Sequence, residues 1–208
     1  VTNPAQIESN TFRDGVAIEL SGAAEPPSFA MGQKDTDVRI WHWKADRQQD
    51  LTERHDVNNA HPGMYVNTYP APVKDAAADQ KMGVDFGGIT DAKGADISKL
   101  DRRYLTGVAA GNVVSSLDKC PVESLTAKGF GTLGTSLLAD KGVTANGTWT
   151  NGVYSVVFKR PLLQDGNGAL TLAPGKEYFI ALACWDGNAK DRDGQKNVTI
   201  WHRLKIGN

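Results

Sequence analysis

Apolar and polar positions alternate with a period of two in several short segments of the chain. Residues 15–20, 38–44 and 198–206 follow this pattern, which is typical of β-strands. In residues 38–44 both sides of the strand carry bulky side chains, which indicates cover on both faces of a sheet. The unbroken apolar run over residues 178–185 predicts a central strand.

An Asn-Gly pair marks the clearest turn. Asn151 and Gly152 separate two strand-like segments, and both residue types accept the positive φ of a type I′ hairpin turn. Periodicity is lost over residues 47–114, a stretch too long for an ordinary loop. We therefore predict an all-β fold, an antiparallel β-sandwich. It forms a single domain over residues 1–208, with a long irregular surface insertion at about 47–114.

Composition narrows the classes of function. The 208 residues carry 23 Lys and Arg against 24 Asp and Glu, and this balance argues against a nucleic-acid partner. No apolar run has the length of a membrane-spanning helix. The two cysteines, Cys120 and Cys184, form either one disulfide or two inert buried thiols.

The sequence contains none of the common catalytic motifs. It has no Gly-x-Ser-x-Gly elbow, no phosphate-binding loop and no His-Glu-x-x-His. The oxygen-rich segment 186–194 does not match the spacing of a calcium-binding EF-hand loop. Cys-x-x-Cys-His is also missing, which excludes a covalently attached c-type haem. An enzyme that works through its own side chains is therefore not predicted.

Three segments carry a resemblance to one family. They are residues 31–46 (MGQKDTDVRIWHWKAD), 181–188 (ALACWDGN) and 193–196 (DGQK). These segments resemble the haem b-binding γ subunits of type II molybdenum enzymes of the dimethyl sulfoxide reductase group. That group includes ethylbenzene dehydrogenase, chlorate and selenate reductases and nitrite/nitrate oxidoreductases. The resemblance covers roughly residues 12–46 and 104–206.

The resemblance implies a cofactor and its ligands. One haem b is expected inside the sandwich, with its iron held by the thioether of Met31 and the amine of Lys196. A lysine amine ligates iron only when it is neutral, so the metal must displace a proton. Trp43 and Phe130 are expected as apolar walls around the haem. Arg160 is expected to pair with a haem propionate.

Other iron donors compete with this pair. Met64 and Met82 carry thioethers, although both lie in the irregular insertion, where a ligand is harder to hold in place. His42 and His202 lie on predicted strands next to tryptophans, and histidine is the commoner haem ligand.

The resemblance further implies electron transfer rather than catalysis. Iron with six ligands has no open position for a substrate. The expected partners are an iron–sulfur subunit and a molybdenum-containing subunit on one side, and a soluble cytochrome or similar carrier on the other. The expected location is the periplasm or an equivalent lumen. Residues 104–112 and 121–132 are closest to the nitrite/nitrate oxidoreductase branch.

Two alternatives stay open at this point. The family carries strands before the segment that matches Asp14, so either strands precede this sequence or part of the sandwich is replaced. A carbohydrate-binding β-sandwich is the alternative function. In that case Trp41, Trp149 and Trp201 form an aromatic platform for sugar rings, and the chain binds no haem.

Overall fold

The computed structural model describes residues 12–28, 31–52, 120–135, 142–163 and 170–207. All of them belong to one compact unit made of Val1–His55 and Cys120–Asn208. The predicted insertion lies outside the described residues except for its first residues, which belong to a short helix. Its boundaries and the single-domain assignment therefore stay predictions.

Nine strands and one helix make up the regular structure of the described residues. In chain order they are β1 (Gly15–Ser21), β2 (Val38–Lys44), α1 (Ala45–Gln49), β3 (Val122–Ala127), β4 (Gly134–Thr135), β5 (Thr144–Thr150), β6 (Val153–Lys159), β7 (Glu177–Trp185), β8 (Asn197–Val198) and β9 (His202–Lys205). Within the same residues, no helix has the length and apolar character needed to cross a bilayer.

Seven strands form one antiparallel sheet. Its order is β4-β3-β2-β1-β7-β8, and β9 also pairs with β7. Strand β1 lies between β2 and β7, with Ala17 opposite His42 on one side and Ala183 on the other. The apolar run 178–185 therefore forms part of a central strand, as predicted.

Strands β5 and β6 form a separate two-stranded sheet. Asn151 (φ 51°) and Gly152 (φ 85°) connect them, which confirms the predicted turn. Tyr154, Val156 and Phe158 of β6 pack against the core of the larger sheet. The predicted antiparallel β-sandwich is therefore confirmed.

The two faces of the seven-stranded sheet have separate cores. One face, here called the Trp face, packs Leu20, Trp41 and Trp43 against the β5–β6 hairpin. The close approach requires a glycine, because a Cβ on Gly147 of β5 would lie 2.2 Å from Cζ2 of Trp43. The opposite face, here called the cavity face, holds a second cluster that includes Ile40.

Residues 198–206 form two short strands rather than the single strand predicted for them. Between β8 and β9, the Thr199 hydroxyl accepts the N–H of Leu182 at 3.0 Å, and the Thr199 N–H donates to the Leu182 carbonyl at 2.9 Å. A side-chain oxygen thus replaces a backbone acceptor of the ladder, and the regular pairing with β7 is interrupted.

The two cysteines do not form a disulfide. Cys120 and Cys184 are both free thiols, so the first alternative from the sequence is wrong. Cys184 is exposed and Cys120 is only half-buried, where its Sγ lies 3.5 Å from the Val143 carbonyl oxygen. The prediction of two buried thiols is therefore also wrong for Cys184.

Candidate functional site

A cavity of about 730 Å³ opens on the cavity face of the seven-stranded sheet. Its floor has small residues where large side chains would fill the space: Gly15 and Ala17 on β1, and Ala181 and Ala183 on β7. The β1–β7 register places Ala17 directly opposite Ala183. Small side chains on two adjacent central strands leave a flat, apolar floor.

An aromatic stack forms one wall of the cavity. The rings of His42 and Trp185 are stacked, with centroids 4.3 Å apart and an interplanar angle of 21°. A Cβ on Gly15 would lie 2.9 Å from Nε2 of His42, so this stack requires glycine at position 15. The pKa of His42 is lowered to about 3 by burial and by four nearby cations, so its imidazole is neutral.

Met31 lies in the cavity wall in an unusual backbone conformation. Its φ is 71°, a value that residues other than glycine rarely adopt. The Met31 N–H donates to Oε1 of Glu19 at 3.1 Å, and its carbonyl accepts the N–H of Gly129 at 2.7 Å. The turn is closed by Gly32, where a Cβ would lie 2.8 Å from the Thr36 carbonyl oxygen.

Lys196 lies in the cavity wall at the end of the loop that follows β7. Its Nζ donates to the Asp193 carbonyl at 3.2 Å and lies 5.4 Å from the ring centroid of Trp185. The start of the loop is anchored to the sheet, because the Gly187 N–H donates to Oδ1 of the buried Asp14 at 2.8 Å. Lys196 is thus held beside the aromatic stack.

Charged groups surround one end of the cavity. Lys44 is only 8% exposed, and its Nζ donates to Glu123, which also accepts from Nη2 of Arg47 at 2.7 Å. Burial alone would raise the pKa of Glu123, but the hydrogen bond and charge of Lys44 outweigh it and lower that pKa.

Another carboxylate of the cavity lining, Glu19, lies further along β1. Burial raises the pKa of Glu19, and the Met31 N–H and the charge of Lys196 oppose the rise.

Three of the residues predicted for the site line this cavity: Met31, Lys196 and Phe130. The other two lie elsewhere. Trp43 is fully buried on the Trp face. The Arg160 guanidinium lies 5.0 Å from the Trp41 ring centroid, in contact with the same core.

The competing donors are distributed in a similar way. His42 lines the cavity, whereas His202 is exposed on β9 and is not among the lining residues. Met64 and Met82 lie outside the described residues. Within the described ranges, no group of three or more His, Cys, Asp or Glu side chains is arranged to hold a metal ion.

Two arginines at the cavity margin were not predicted from the sequence. Nη1 of Arg13 forms a salt bridge with Asp46 at 2.7 Å, and the Arg192 guanidinium lies 4.7 Å from the ring centroid of Phe12. Phe12, Arg13 and Arg192 all line the cavity. Arg192 directly precedes the DGQK segment, and Arg13 lies at the start of the range 12–46 that resembles the family, but neither belongs to the three segments that carry the resemblance.

Comparison with known proteins decides the family. The sequence profile of the ethylbenzene dehydrogenase family matches residues 3–197. The chain belongs to the ethylbenzene dehydrogenase family. A protein of Haloferax mediterranei that carries the name of a respiratory nitrate reductase heme subunit is 28% identical over 85 residues. That match covers 41% of this chain and 30% of the relative. The predicted family is confirmed, and both findings support the predicted haem cofactor.

Proposed function

We propose that the chain is the electron-transfer subunit of a molybdenum enzyme complex and that it binds one haem b in the cavity. The observation that carries this proposal is that Met31 and Lys196, 165 positions apart in the sequence, line one cavity with a flat, small-residue floor. Its volume of about 730 Å³ is within the range of cofactor sites.

The side chains around the cavity fit the chemistry of a porphyrin. The floor of Gly15, Ala17, Ala181 and Ala183 accommodates a planar apolar ring. Met31 and Lys196 supply a thioether and an amine, and both are iron donors. A haem b held there supplies reversible one-electron exchange at its iron.

Each proposed ligand is positioned by its own segment. The backbone of Met31 is fixed by two hydrogen bonds: its N–H donates to the Glu19 carboxylate, and its carbonyl accepts the Gly129 N–H. Lys196 is held by a loop that is anchored to Asp14. To hold iron, the Lys196 amine would have to be neutral, and its Nζ would have to leave its contacts with the Asp193 carbonyl and Trp185.

We assign propionate binding to Arg13 and Arg192 rather than to Arg160. Both line the cavity beside Phe12, and a guanidinium has five N–H donors, more than their present contacts use. Arg160 lies against Trp41 on the Trp face, which does not border this cavity.

The partners and location follow as part of the same proposal. They are an iron–sulfur subunit, a molybdenum-containing subunit and an external cytochrome or similar carrier, in the periplasm or an equivalent lumen. Among the cavity-lining residues, Phe130 (79% exposed), Leu133 (49%) and Val198 (43%) are large, apolar and open to solvent. An exposed apolar rim of this kind supports contact with a partner at the cavity mouth. We assign the complex to the nitrite/nitrate oxidoreductase branch from the likeness of residues 104–112 and 121–132.

The carbohydrate-binding alternative has less support. Trp41 is buried under the β5–β6 hairpin, so its ring is not available to a sugar. Trp201 packs against the cluster on the opposite face of the sheet. The three tryptophans proposed for a platform therefore do not form one exposed surface.

The test is electron paramagnetic resonance and absorption spectroscopy of the full chain loaded with haem. The unchanged protein is expected to show low-spin, six-coordinate iron. Met31→Ala and Lys196→Ala are each expected to open a coordination position and to convert most of the signal to high spin. Met64→Ala, Met82→Ala and His42→Phe serve as matched controls for the competing donors and are expected to leave the spectrum unchanged.

A chain that binds no haem under these conditions would contradict the proposal as a whole. Unchanged iron signals in both Met31→Ala and Lys196→Ala would instead contradict the ligand assignment.

A further inference from the structure

Glu19 is a carboxylate that follows the small floor residues Gly15 and Ala17 along the same face of β1. It lies on the central strand β1, opposite Ile40 of β2 and Ala181 of β7, and it lines the cavity. Placing an ionisable side chain there is unfavourable unless it makes specific contacts, because burial disfavours the charged form.

The carboxylate of Glu19 contacts the backbone of Met31. Its Oε1 accepts the Met31 N–H at 3.1 Å, although 12 positions separate the two residues. On the other side, the Met31 carbonyl accepts the Gly129 N–H at 2.7 Å. The peptide groups on both sides of the Met31 Cα are therefore fixed, one by β1 and one by the turn after β3.

These contacts explain how Met31 keeps its backbone conformation. A φ of 71° is unfavourable for a residue with a Cβ and persists only when surrounding contacts impose it. This conformation determines where the Met31 side chain leaves the backbone. The charge of Lys196 also acts on the Glu19 carboxylate, so both proposed ligand segments interact with the same group.

We propose that Glu19 is a positioning residue for Met31, and that its Oε1 holds the left-handed turn that directs the thioether into the cavity. This inference rests on the proposed haem function. The proposed role of Glu19 requires a hydrogen-bond acceptor at the distance that a glutamate side chain can reach. It does not require a negative charge.

Two substitutions separate acceptor from charge, and a third, Glu19→Ala, removes both. Glu19→Gln keeps an oxygen at the same reach and removes the charge. Glu19→Asp keeps the charge, but its side chain is one methylene shorter and does not reach the Met31 N–H. Glu177→Ala is the matched control, because Glu177 is an exposed carboxylate on β7 outside the cavity lining.

The readouts are the thioether-to-ferric-iron charge-transfer absorption and the reduction potential of the haem-loaded full chain. Glu19→Gln is expected to keep the thioether band, and Glu19→Asp is expected to lose it, with or without loss of haem. A methionine ligand raises the potential, so its loss lowers the potential of Glu19→Ala. A purely electrostatic role would raise the potential in Glu19→Ala and Glu19→Gln alike, because the anion stabilises ferric iron.

A thioether band retained in Glu19→Asp, or lost in Glu19→Gln, would overturn the inference. So would a potential that rises equally in Glu19→Ala and Glu19→Gln. Failure of the unchanged chain to bind haem would instead count against the proposed function, so the two failures are distinguishable.

Discussion

The two faces of the seven-stranded sheet use the same strands for opposite purposes. Strand β2 contributes Trp41 and Trp43 to the Trp face, and His42 and Lys44 to the cavity face. The Trp face is filled by the β5–β6 hairpin, with Trp43 fully buried over Gly147. The cavity face instead keeps small residues and charged groups around an open space. One face therefore supplies stability, and the other keeps the space for a ligand.

The cavity face includes features that do not stabilise the fold. The imidazole of His42 is held neutral in its stack on Trp185, and Met31 adopts a positive φ. Unfavourable backbone conformations such as that of Met31 are concentrated at functional sites, where the surrounding structure imposes them. On the Trp face, the buried Nε1 of Trp43 donates to Oε1 of Gln48 at 3.1 Å, and the ring edge packs on Tyr154.

The largest expected effect is on the Trp face. Trp43→Ala is expected to lower the free energy of unfolding of the protein without cofactor by about 3–5 kcal/mol, because it removes a fully buried indole. Urea unfolding measures the change. Trp149→Ala, at a tryptophan that is 37% exposed on the hairpin, is the control and should cost clearly less.

If Trp43→Ala left stability intact and weakened haem binding instead, the division of the two faces would be wrong. Trp43 would then act as a wall of the cofactor site, as the sequence predicted.

The next largest effect is a dependence of stability on pH through the cavity face. The pKa of His42 is about 3 in the folded chain against 6.5 for a free histidine, so the unfolded chain binds more protons between these values. Through His42, the free energy of unfolding is therefore highest above about pH 6.5, and it declines as the pH falls toward 3. The expected loss from this residue is about 2 kcal/mol by about pH 5.

His42→Phe keeps a ring against Trp185 and removes the titration. Urea unfolding between about pH 7 and pH 5 is expected to show a smaller loss of stability in this variant by that amount. The cations that act on His42 are Lys44, Arg13, Arg47 and Lys196, and they are unchanged in it. His202→Phe, at an exposed position on β9, is the control. Equal pH dependence in both variants would contradict the burial of His42.

The smallest expected effect is on haem affinity, and it is tested at two neighbouring residues of β7 that point to opposite faces of the sheet. Ala183 lies in the cavity floor, and Cys184 faces the other side and is exposed. Ala183→Leu fills the floor, so the affinity for haem is expected to fall about tenfold or more, with little change in the stability of the chain without cofactor. Titration followed by the Soret band measures it.

Cys184→Leu places the same side chain on the opposite face and should leave haem affinity unchanged. An equal loss in both variants would indicate a general disturbance of β7 rather than occupation of the floor.

Much of the fold was predictable from local pattern. The strands that form β1, β2 and β7 have clear apolar periodicity, and Asn151-Gly152 specifies the hairpin turn through positive φ at both positions. The break at Thr199 was not predictable, because it depends on a side-chain hydroxyl meeting the Leu182 N–H across the sheet. Local alternation does not reveal such a substitution of one acceptor for another.

The candidate site was predicted only in part. The family segments pointed to Met31 and Lys196, and the structure brings both to one cavity. Trp43 and Arg160 were also predicted for the site, and the structure places them away from the cavity. Aromatic and basic side chains suit both a core and a cofactor site, so residue type alone did not separate the two roles.

The sequence by itself determined that this chain forms a β-sandwich, where β1, β2, β7 and the β5–β6 turn lie, and which family it belongs to. Tertiary structure alone decided which face of the sheet is filled and which stays open. A strand's period of two divides its side chains into two sets without saying which set meets a neighbour. That choice was made by the packing of the β5–β6 hairpin on Trp43 and by the pairing of β1 with β7, contacts between residues far apart in the chain.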